Sequence, residues 1–187
     1  RCAWFMQNFS ENYLIEGVSG TGKTAVAEEL QRRGYHVIHG DRELAYVGDP
    51  QTGEPLDQPH HESTAEAVAW LNKHWIWPVD TVRSLIADQR SAETFFCGGS
   101  RNFHLFIDLF DGVFVLDVDI DTLNRRLAAR PEDEFGGRPA ERELIIRLHA
   151  AKEDIPKNAV SIDATAPVSA VVDGILAICG EAEQGIL

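Results

Sequence analysis

The chain has 187 residues, 44% hydrophobic and 25% charged, as in an ordinary globular protein of one domain. Its formal net charge of -13 argues against nucleic acid as a partner, because binding a phosphate backbone needs a basic surface. No apolar run approaches the roughly 20 residues of a membrane span and no secretory leader is evident, so we expect no membrane partner. The cysteines, Cys2, Cys97 and Cys179, lack metal-ligand spacing and are typical of reduced thiols in a cytoplasmic protein.

The predicted elements follow Met6, the only methionine, which we take as the natural start. Apolar spacing and the positions of glycine and proline predict strands and helices that largely alternate. In chain order they are a strand over 12–16, a helix over 23–33, a strand over 35–39, the start of a helix over 41–46, a loop over 48–59, helices over 63–74 and 78–90, a strand over 94–97, a helix over 102–110, a strand over 112–117, a helix over 121–130, a loop over 131–139, a helix over 140–153, a strand over 160–163 and a helix over 168–179.

Strands that alternate with helices predict a parallel sheet, because parallel strands are joined by crossover connections. The strand over 112–117 is apolar on both faces, as in a sheet that helices cover on both sides. The sequence therefore predicts a three-layer α/β/α fold with a five-stranded parallel sheet, in a single domain over 1–187.

A complete phosphate-binding motif lies between the first strand and the first helix. It matches G-x-x-x-x-G-K-[ST] and reads Gly17-Val18-Ser19-Gly20-Thr21-Gly22-Lys23-Thr24. The glycines allow the loop to turn its N–H groups towards phosphate, and the helix that follows presents its positive end there. Lys23 can reach the β- and γ-phosphates and the Thr24 hydroxyl can bind Mg²⁺. The motif therefore predicts a P-loop protein that binds a nucleoside triphosphate with Mg²⁺.

Other features narrow the class of P-loop protein. The N-K-x-D pattern with which GTPases read guanine is absent from the sequence. The chain is also too short for the second subdomain of a motor or transporter ATPase. These two observations argue against a GTPase and against a motor or transporter ATPase.

From Asn12 onward the chain resembles the small-molecule kinases, with shikimate kinase as the nearest pattern and gluconate and nucleoside monophosphate kinases close behind. Shikimate kinases carry Asp-x-Asp after the second strand, and Asp41 matches the second aspartate, which binds the substrate hydroxyl in that family. His39 stands in place of the first aspartate, which lies near Mg²⁺ in the family. The resemblance implies that Asp41 orients the acceptor hydroxyl, although Asp41 is equally suited to cap the following helix.

A glycine pair after the third strand extends the resemblance. Shikimate kinases have three glycines there beside the acid group of the substrate, and this chain has Gly98 and Gly99 followed by Arg101. The resemblance implies that the backbone of the glycines and the Arg101 guanidinium bind the substrate; a tight turn with a solvent-facing arginine is the alternative. Arg147 matches the family's substrate-side arginine loosely. Nucleoside monophosphate kinases carry D-G-[FY]-P-R at this turn, which this chain lacks.

The segment over 131–139 corresponds to the lid of the family. Arg130 and Arg138 have about the spacing of the two family arginines, one of which packs on adenine while the other reaches the phosphates. A mobile arginine loop excludes water and stabilises charge on the transferring group. The alternative is a solvated helix end whose acidic residues pair with the arginines. Thr165 and Pro167 follow the last strand, where the family borders adenine.

The segment over 44–90 should form a substrate-binding arm, and its tryptophans either pack it on the core or stack on a substrate. Together these features predict transfer of the γ-phosphoryl group of ATP to a hydroxyl of a small metabolite. Two alternatives stay open, a nucleoside or nucleoside monophosphate kinase and a regulator that binds ATP without an acceptor. We expect a monomer or a homodimer whose partner is the small-molecule acceptor.

Overall fold

The computed structural model describes residues 9–59 and 64–183. The predicted start at Met6 and the predicted helix start at residue 63 lie outside these ranges. The strands are β1 (Glu11–Glu16), β2 (His36–His39), β3 (Tyr46–Val47), β4 (Trp75–Ile76), β5 (Glu93–Cys97), β6 (Gly112–Asp117) and β7 (Val160–Asp163). The helices are α1 (Lys23–Arg32), α2 (Gly40–Glu43), α3 (Ala65–Lys73), α4 (Val79–Ala87), α5 (Ile120–Ala128), α6 (Pro139–Ala151) and α7 (Val168–Glu183).

Five strands form one sheet in the order β2-β5-β1-β6-β7, and every neighbouring pair is parallel. The three-layer fold with a five-stranded parallel sheet predicted from the sequence is thereby confirmed. The carboxyl ends of parallel strands lie along one edge, where ligands bind in open α/β sheets. Within the described ranges, no helix combines the length and the apolar character needed to cross a membrane.

Both faces of the sheet are covered, as the apolar strands require. Tyr13 and Ile15 of β1 belong to a large buried cluster that also includes residues of α1, α5, α6 and α7. Leu14, between them, belongs to a second cluster with Trp77 and Phe106. Because successive side chains of a strand point to opposite faces, this alternation places β1 in the middle of the three layers.

A small hairpin that the sequence did not predict pairs the start of the arm with its middle. The prediction of a helix over 41–46 was wrong beyond α2, since Tyr46 pairs with Ile76 in the antiparallel strands β3 and β4. The second strand of the pair directly follows α3. Strands of two residues carry too little alternation to be read from a sequence.

The predicted helix over 102–110 was also wrong, because the structure has two short 3-10 turns there, Phe103–Leu105 and Ile107–Leu109. The Asn102 side chain accepts a hydrogen bond from the backbone N–H of Trp77 (3.0 Å) and donates one to its carbonyl (2.9 Å). Anchoring the residue that begins the segment to another part of the chain competes with a regular helix.

Trp77 is fully buried and fixes the hairpin to the core. Its ring stacks on Phe106 with 5.9 Å between centroids. A Cβ at Gly40 would lie 2.0 Å from Cζ2 of Trp77, so the first residue of α2 can only be glycine. This close approach sets the position of α2, which carries Asp41.

The Gly40–Trp77 contact gives a testable expectation for stability. Gly40→Ala should lower the free energy of unfolding by about 2 kcal/mol or more, because the added methyl group overpacks the core. The control is Gly174→Ala in α7, where nothing lies within 4 Å of an added Cβ; it should raise the free energy by up to about 1 kcal/mol. Urea unfolding monitored by circular dichroism measures both. Equal effects of the two variants would contradict the packing argument.

Candidate active site

The phosphate motif lies where β1 passes into α1, as the sequence predicts. Gly17, Gly20 and Gly22 have backbone φ angles of 154°, 93° and 106°, which residues other than glycine rarely adopt. A Cβ at Gly17 would lie 2.6 Å from Thr21 Oγ1, and one at Gly20 would lie 2.7 Å from Leu123 Cδ1. Backbone conformation therefore favours glycine at all three positions, and space also requires it at Gly17 and Gly20.

A cavity of about 410 Å³ opens above the phosphate loop. Its lining residues come from the loop, α1 and three further parts of the chain: Ser19, Gly20, Thr21, Gly22, Lys23, Thr24, Ala25, Val26, Asp41, Arg126, Arg130, Ala164, Ala166, Val168 and Val171. A space of this size with a few convergent charged groups is typical of a ligand site. Gly17 and Val18 lie in the loop but do not line this cavity.

Lys23 is partly buried, and its Nζ donates a hydrogen bond to the carbonyl of Gly17. Burial lowers the pKa of Lys23, while the charges of Glu16 and Asp41 act in the opposite direction. Thr24, at the start of α1, is exposed and lines the same cavity. The lysine head group thus lies against the loop that would hold phosphate.

Two arginines contact the phosphate loop. Arg130 donates to Ser19 Oγ at 2.9 Å and to the carbonyl of Phe135, and burial lowers its pKa. Arg126 donates to the carbonyls of Thr21 (3.1 Å) and Ala164 (2.8 Å). Arg126 was not among the predicted site residues. Its place one helical turn before Arg130, on the face of α5 towards the loop, is the signal that could have identified it.

Arg138 lies at the amino end of α6 and does not line the cavity described above. Its N–H donates to Glu141 Oε2 at 3.2 Å, and the same oxygen accepts from the N–H of Gly136 at 2.9 Å. Arg142 donates to the carbonyls of Gly136 (3.0 Å) and Gly137 (2.8 Å). The segment predicted as a lid is therefore held in this structure by two side chains of α6.

The loop after β7 reaches the cavity through other residues than those predicted. Ala164, Ala166 and Val168 line the space, whereas Thr165 and Pro167 alternate with them and do not. The N–H of Thr165 donates to Asp163 Oδ1 at 2.9 Å. The lining here is apolar and small, which suits a flat aromatic ring.

Asp41 brings a carboxylate to the same cavity from the end of β2. Its Oδ1 accepts hydrogen bonds from Trp75 Nε1 at 3.1 Å and from the N–H of Gly99 at 3.4 Å. His39 does not line the cavity, and its Nε2 lies 3.2 Å from Gln31 Oε1. The structure thus brings Asp41 and Lys23 to one space and leaves His39 outside it.

The turn after β5 uses all of its backbone donors. The N–H of Gly98 donates to the carbonyl of Ile15 at 3.1 Å, and that of Gly99 to Asp41. The N–H of Ser100 donates to Glu16 Oε1 at 3.0 Å, and that of Arg101 to the carbonyl of Trp75 at 2.8 Å. Gly98 and Gly99 do not line the cavity above the phosphate loop, and in this structure their N–H groups form hydrogen bonds within the protein.

A second cavity, of about 820 Å³, lies between the arm, the turn after β5 and α6. It brings together two predicted substrate residues, Arg101 and Arg147, which are far apart in sequence. Arg101 forms an ion pair with Asp154 (3.1 Å) and donates to its carbonyl (2.9 Å), and Asp154 also accepts from Asn72 Nδ2 (2.8 Å). Lys73 and His104 contribute further positive or titratable groups to the walls.

Glu16, the last residue of β1, is a buried carboxylate that the sequence did not indicate. Only 1% of its surface is exposed, and its Oε2 has no hydrogen-bond partner among the described residues. Burial raises the pKa of Glu16 to about 7, although the charges of Arg101 and Lys23 oppose this. A buried acid next to the phosphate loop and the turn after β5 links the two regions that would hold the reactants.

The residues present fit a magnesium ion held mainly by a nucleotide. Across residues 9–59 and 64–183, no group of three or more His, Cys, Asp or Glu side chains is arranged to hold a metal. The Thr24 hydroxyl and the Asp41 carboxylate nevertheless line one cavity with Lys23. Mg²⁺ commonly takes few protein ligands and completes its shell with phosphate oxygens and water, and these two oxygen donors suit that mode.

Comparison with protein families gives a match over most of the chain. A family model described as an AAA domain matches residues 14–147. A shorter match, 33% identical over 73 residues, is to HPr kinase/phosphorylase of Streptococcus salivarius. That match covers 38% of this chain and 24% of the relative, so the chain spans well under two thirds of the relative's length.

Solved structures of similar fold are small-molecule kinases. Shikimate kinase from Bacteroides thetaiotaomicron is 13% identical and has a TM-score of 0.57, with 91% of this chain and 98% of that chain covered. A gluconokinase from Sinorhizobium meliloti 1021 is 17% identical and has a TM-score of 0.53, with coverage of 95% and 96%. The chain therefore has the fold of the P-loop small-molecule kinases.

The buried acid gives an expectation for stability as a function of pH. Between pH 4.5 and about 7 the folded chain keeps the Glu16 proton that the unfolded chain releases, so stability should fall as pH rises through this window. Glu16→Gln removes this loss. It should be more stable than the unchanged protein at pH 8 by up to about 3 kcal/mol, and nearly equal to it at pH 5. Urea unfolding at both pH values measures the stability difference between the variant and the unchanged protein. A difference that does not grow in favour of the variant from pH 5 to pH 8 would contradict the expectation.

Proposed function

The chain belongs to the AAA domain family, and from this membership and its phosphate loop we propose that it transfers the γ-phosphoryl group of Mg-ATP to a hydroxyl of a small metabolite. The observation that carries the proposal is the cavity above the loop, whose walls include Lys23, Asp41 and Arg130. This reaction needs a lysine to bind the phosphates and a carboxylate to orient the incoming hydroxyl. It also needs an arginine to stabilise the charge on the transferring phosphoryl group.

On the nucleotide side, the loop residues 17–24 would bind the phosphates through their N–H groups. Lys23 would exchange its contact with the Gly17 carbonyl for the β- and γ-phosphate oxygens. Arg130 would meet the transferring group, and Arg126, which lines the same cavity, donates a hydrogen bond to the loop carbonyl of Thr21. Bound beside Thr24, Mg²⁺ would supply charge neutralisation at the phosphate oxygens. The small apolar residues after β7 would border adenine, with Thr165 and Pro167 forming the same loop.

On the acceptor side, Asp41 would orient the hydroxyl for attack on the γ-phosphorus and accept its proton. The second cavity would hold the remainder of the acceptor, with Arg101 and Arg147 in its walls. Gly98 and Gly99 would act through the turn that they shape, since Gly99 holds Asp41 and their amides are already paired. Such chemistry consists mainly of positioning and charge stabilisation.

The transfer reaction is tested by coupled release of ADP with Mg-ATP across a panel of acceptors. The panel holds shikimate, sugar acids, amino sugars, nucleosides and nucleoside monophosphates. We expect one class to stimulate release by at least about 100-fold over water, and Lys23→Ala and Asp41→Asn each to remove most of the stimulation. Tight ATP binding with no stimulation by any compound would instead favour the regulator.

The lid is tested separately by its two arginines. Arg130→Ala should lower kcat/KM by about 100-fold, because it removes a charge next to the phosphate loop. Arg138→Ala should lower kcat by about 10-fold and leave the Kd for ATP nearly unchanged, because Arg138 would reach the phosphates only when the segment over 131–139 closes. Steady-state kinetics and calorimetric ATP titrations measure both. A protein in which Arg138→Ala changes nothing has no working lid.

A further inference from the structure

Trp75 is the arm residue that contacts the acceptor carboxylate. Its Nε1 donates to Asp41 Oδ1 at 3.1 Å, a shorter contact than the 3.4 Å from the N–H of Gly99 to the same oxygen. Oδ2 of Asp41 accepts no hydrogen bond from any residue that the structure describes. Both donors therefore bind the same oxygen of the carboxylate, and Asp41 lines one cavity with Lys23.

The backbone around Trp75 is held at several points. Trp75 pairs with Val47 in the hairpin, and its carbonyl accepts the N–H of Arg101 at 2.8 Å. The next two residues, Ile76 and Trp77, are fully buried. The indole is thus carried on a short strand whose end is fixed in the core, so it is a directed donor and not a loosely placed surface ring.

Asp41 itself has little other support. It is exposed, and it belongs to α2, a helix of only four residues. Without a fixed partner, a carboxylate on one helical turn rotates freely between equivalent orientations, and each orientation presents a different lone pair to the acceptor. A donor on Oδ1 removes that freedom before the substrate binds, which is the kind of preorganisation that raises kcat.

We propose that Trp75 is a positioning residue of the transfer reaction: its indole N–H holds Oδ1 of Asp41 so that Oδ2 faces the acceptor hydroxyl. This inference rests on the proposed function. It links the substrate-binding arm to the acceptor carboxylate through one hydrogen bond. An indole that served as a stacking platform for the acceptor would act differently, because phenylalanine could replace it.

The kinetic test compares Trp75→Phe, which keeps an aromatic ring and removes the donor, with Trp70→Phe in the same arm. Trp70 stacks on His74 with 4.1 Å between ring centroids and lines neither cavity. We expect Trp75→Phe to lower kcat by about 10-fold, as for loss of a hydrogen bond to a charged group. The Kd for ATP should change by less than about 2-fold in both variants, and kcat should be unaltered in Trp70→Phe.

A second test needs no turnover. In ¹⁵N-labelled protein, the indole resonance of Trp75 is the one that disappears in Trp75→Phe. In Asp41→Ala that resonance should move upfield and exchange faster with water, because its acceptor is gone, while the indole resonance of Trp70 stays in place. An unmoved Trp75 resonance would overturn the inference, as would an unchanged kcat in Trp75→Phe or a rise in acceptor KM alone.

The two levels of inference fail in different ways. If no acceptor on the panel stimulates ADP release by the unaltered protein, the proposed function fails. The positioning role of Trp75 is then measured on the background hydrolysis of Mg-ATP, in which water takes the place of the acceptor hydroxyl. We expect Trp75→Phe to lower the rate of this hydrolysis by about 10-fold as well. Equal hydrolysis rates in Trp75→Phe and Trp70→Phe would overturn the positioning role.

Discussion

The carboxyl end of β1 is the constraint on which the site depends. The chain must leave the central strand of the sheet and turn at once into the phosphate loop, and the φ of 154° at Gly17 makes that turn possible. The residue before the turn, Glu16, accepts a hydrogen bond from the N–H of Ser100, which lies in the turn after the neighbouring strand β5. One strand end therefore fixes the phosphate loop and the turn after β5 relative to each other, and Asp41 is attached to that turn through Gly99.

The cavity above the phosphate loop is rich in positive charge, although the protein as a whole is acidic. The chain carries a net charge of -13, yet the cavity above the phosphate loop is lined by three cations, Lys23, Arg126 and Arg130, and by one acid, Asp41. Burial lowers the pKa values of Lys23 and Arg130, so each would gain from an anionic ligand that replaces lost hydration. A local basic pocket inside an acidic protein suits a nucleotide and disfavours a nucleic-acid backbone, whose binding needs an extended basic surface.

The sequence predicts those parts of the site whose chemistry is local. The phosphate loop could be identified because eight consecutive residues carry it, and the sheet because its strands are apolar and regularly spaced. Glu16 and Trp75 could not, since their roles depend on partners 84 and 34 residues away in sequence. The helix expected over 102–110 failed for the same reason: the backbone of Trp77 binds the Asn102 side chain, a long-range interaction that overrides local helical spacing.

The hairpin of β3 and β4 connects the arm to Asp41 through the indole of Trp75. Two strands of two residues have little stability of their own, and the hairpin is held instead by what lies at its ends: Trp77 in the core and the Arg101 N–H on the Trp75 carbonyl. Because Arg101 also lines the second cavity, an acceptor that displaced Arg101 in the proposed reaction would also act on the strand that carries the indole. An acceptor that fitted the second cavity would thereby adjust the carboxylate at the first. A poor fit would leave that carboxylate misdirected. In this way binding energy distant from the reacting atoms would become specificity in kcat.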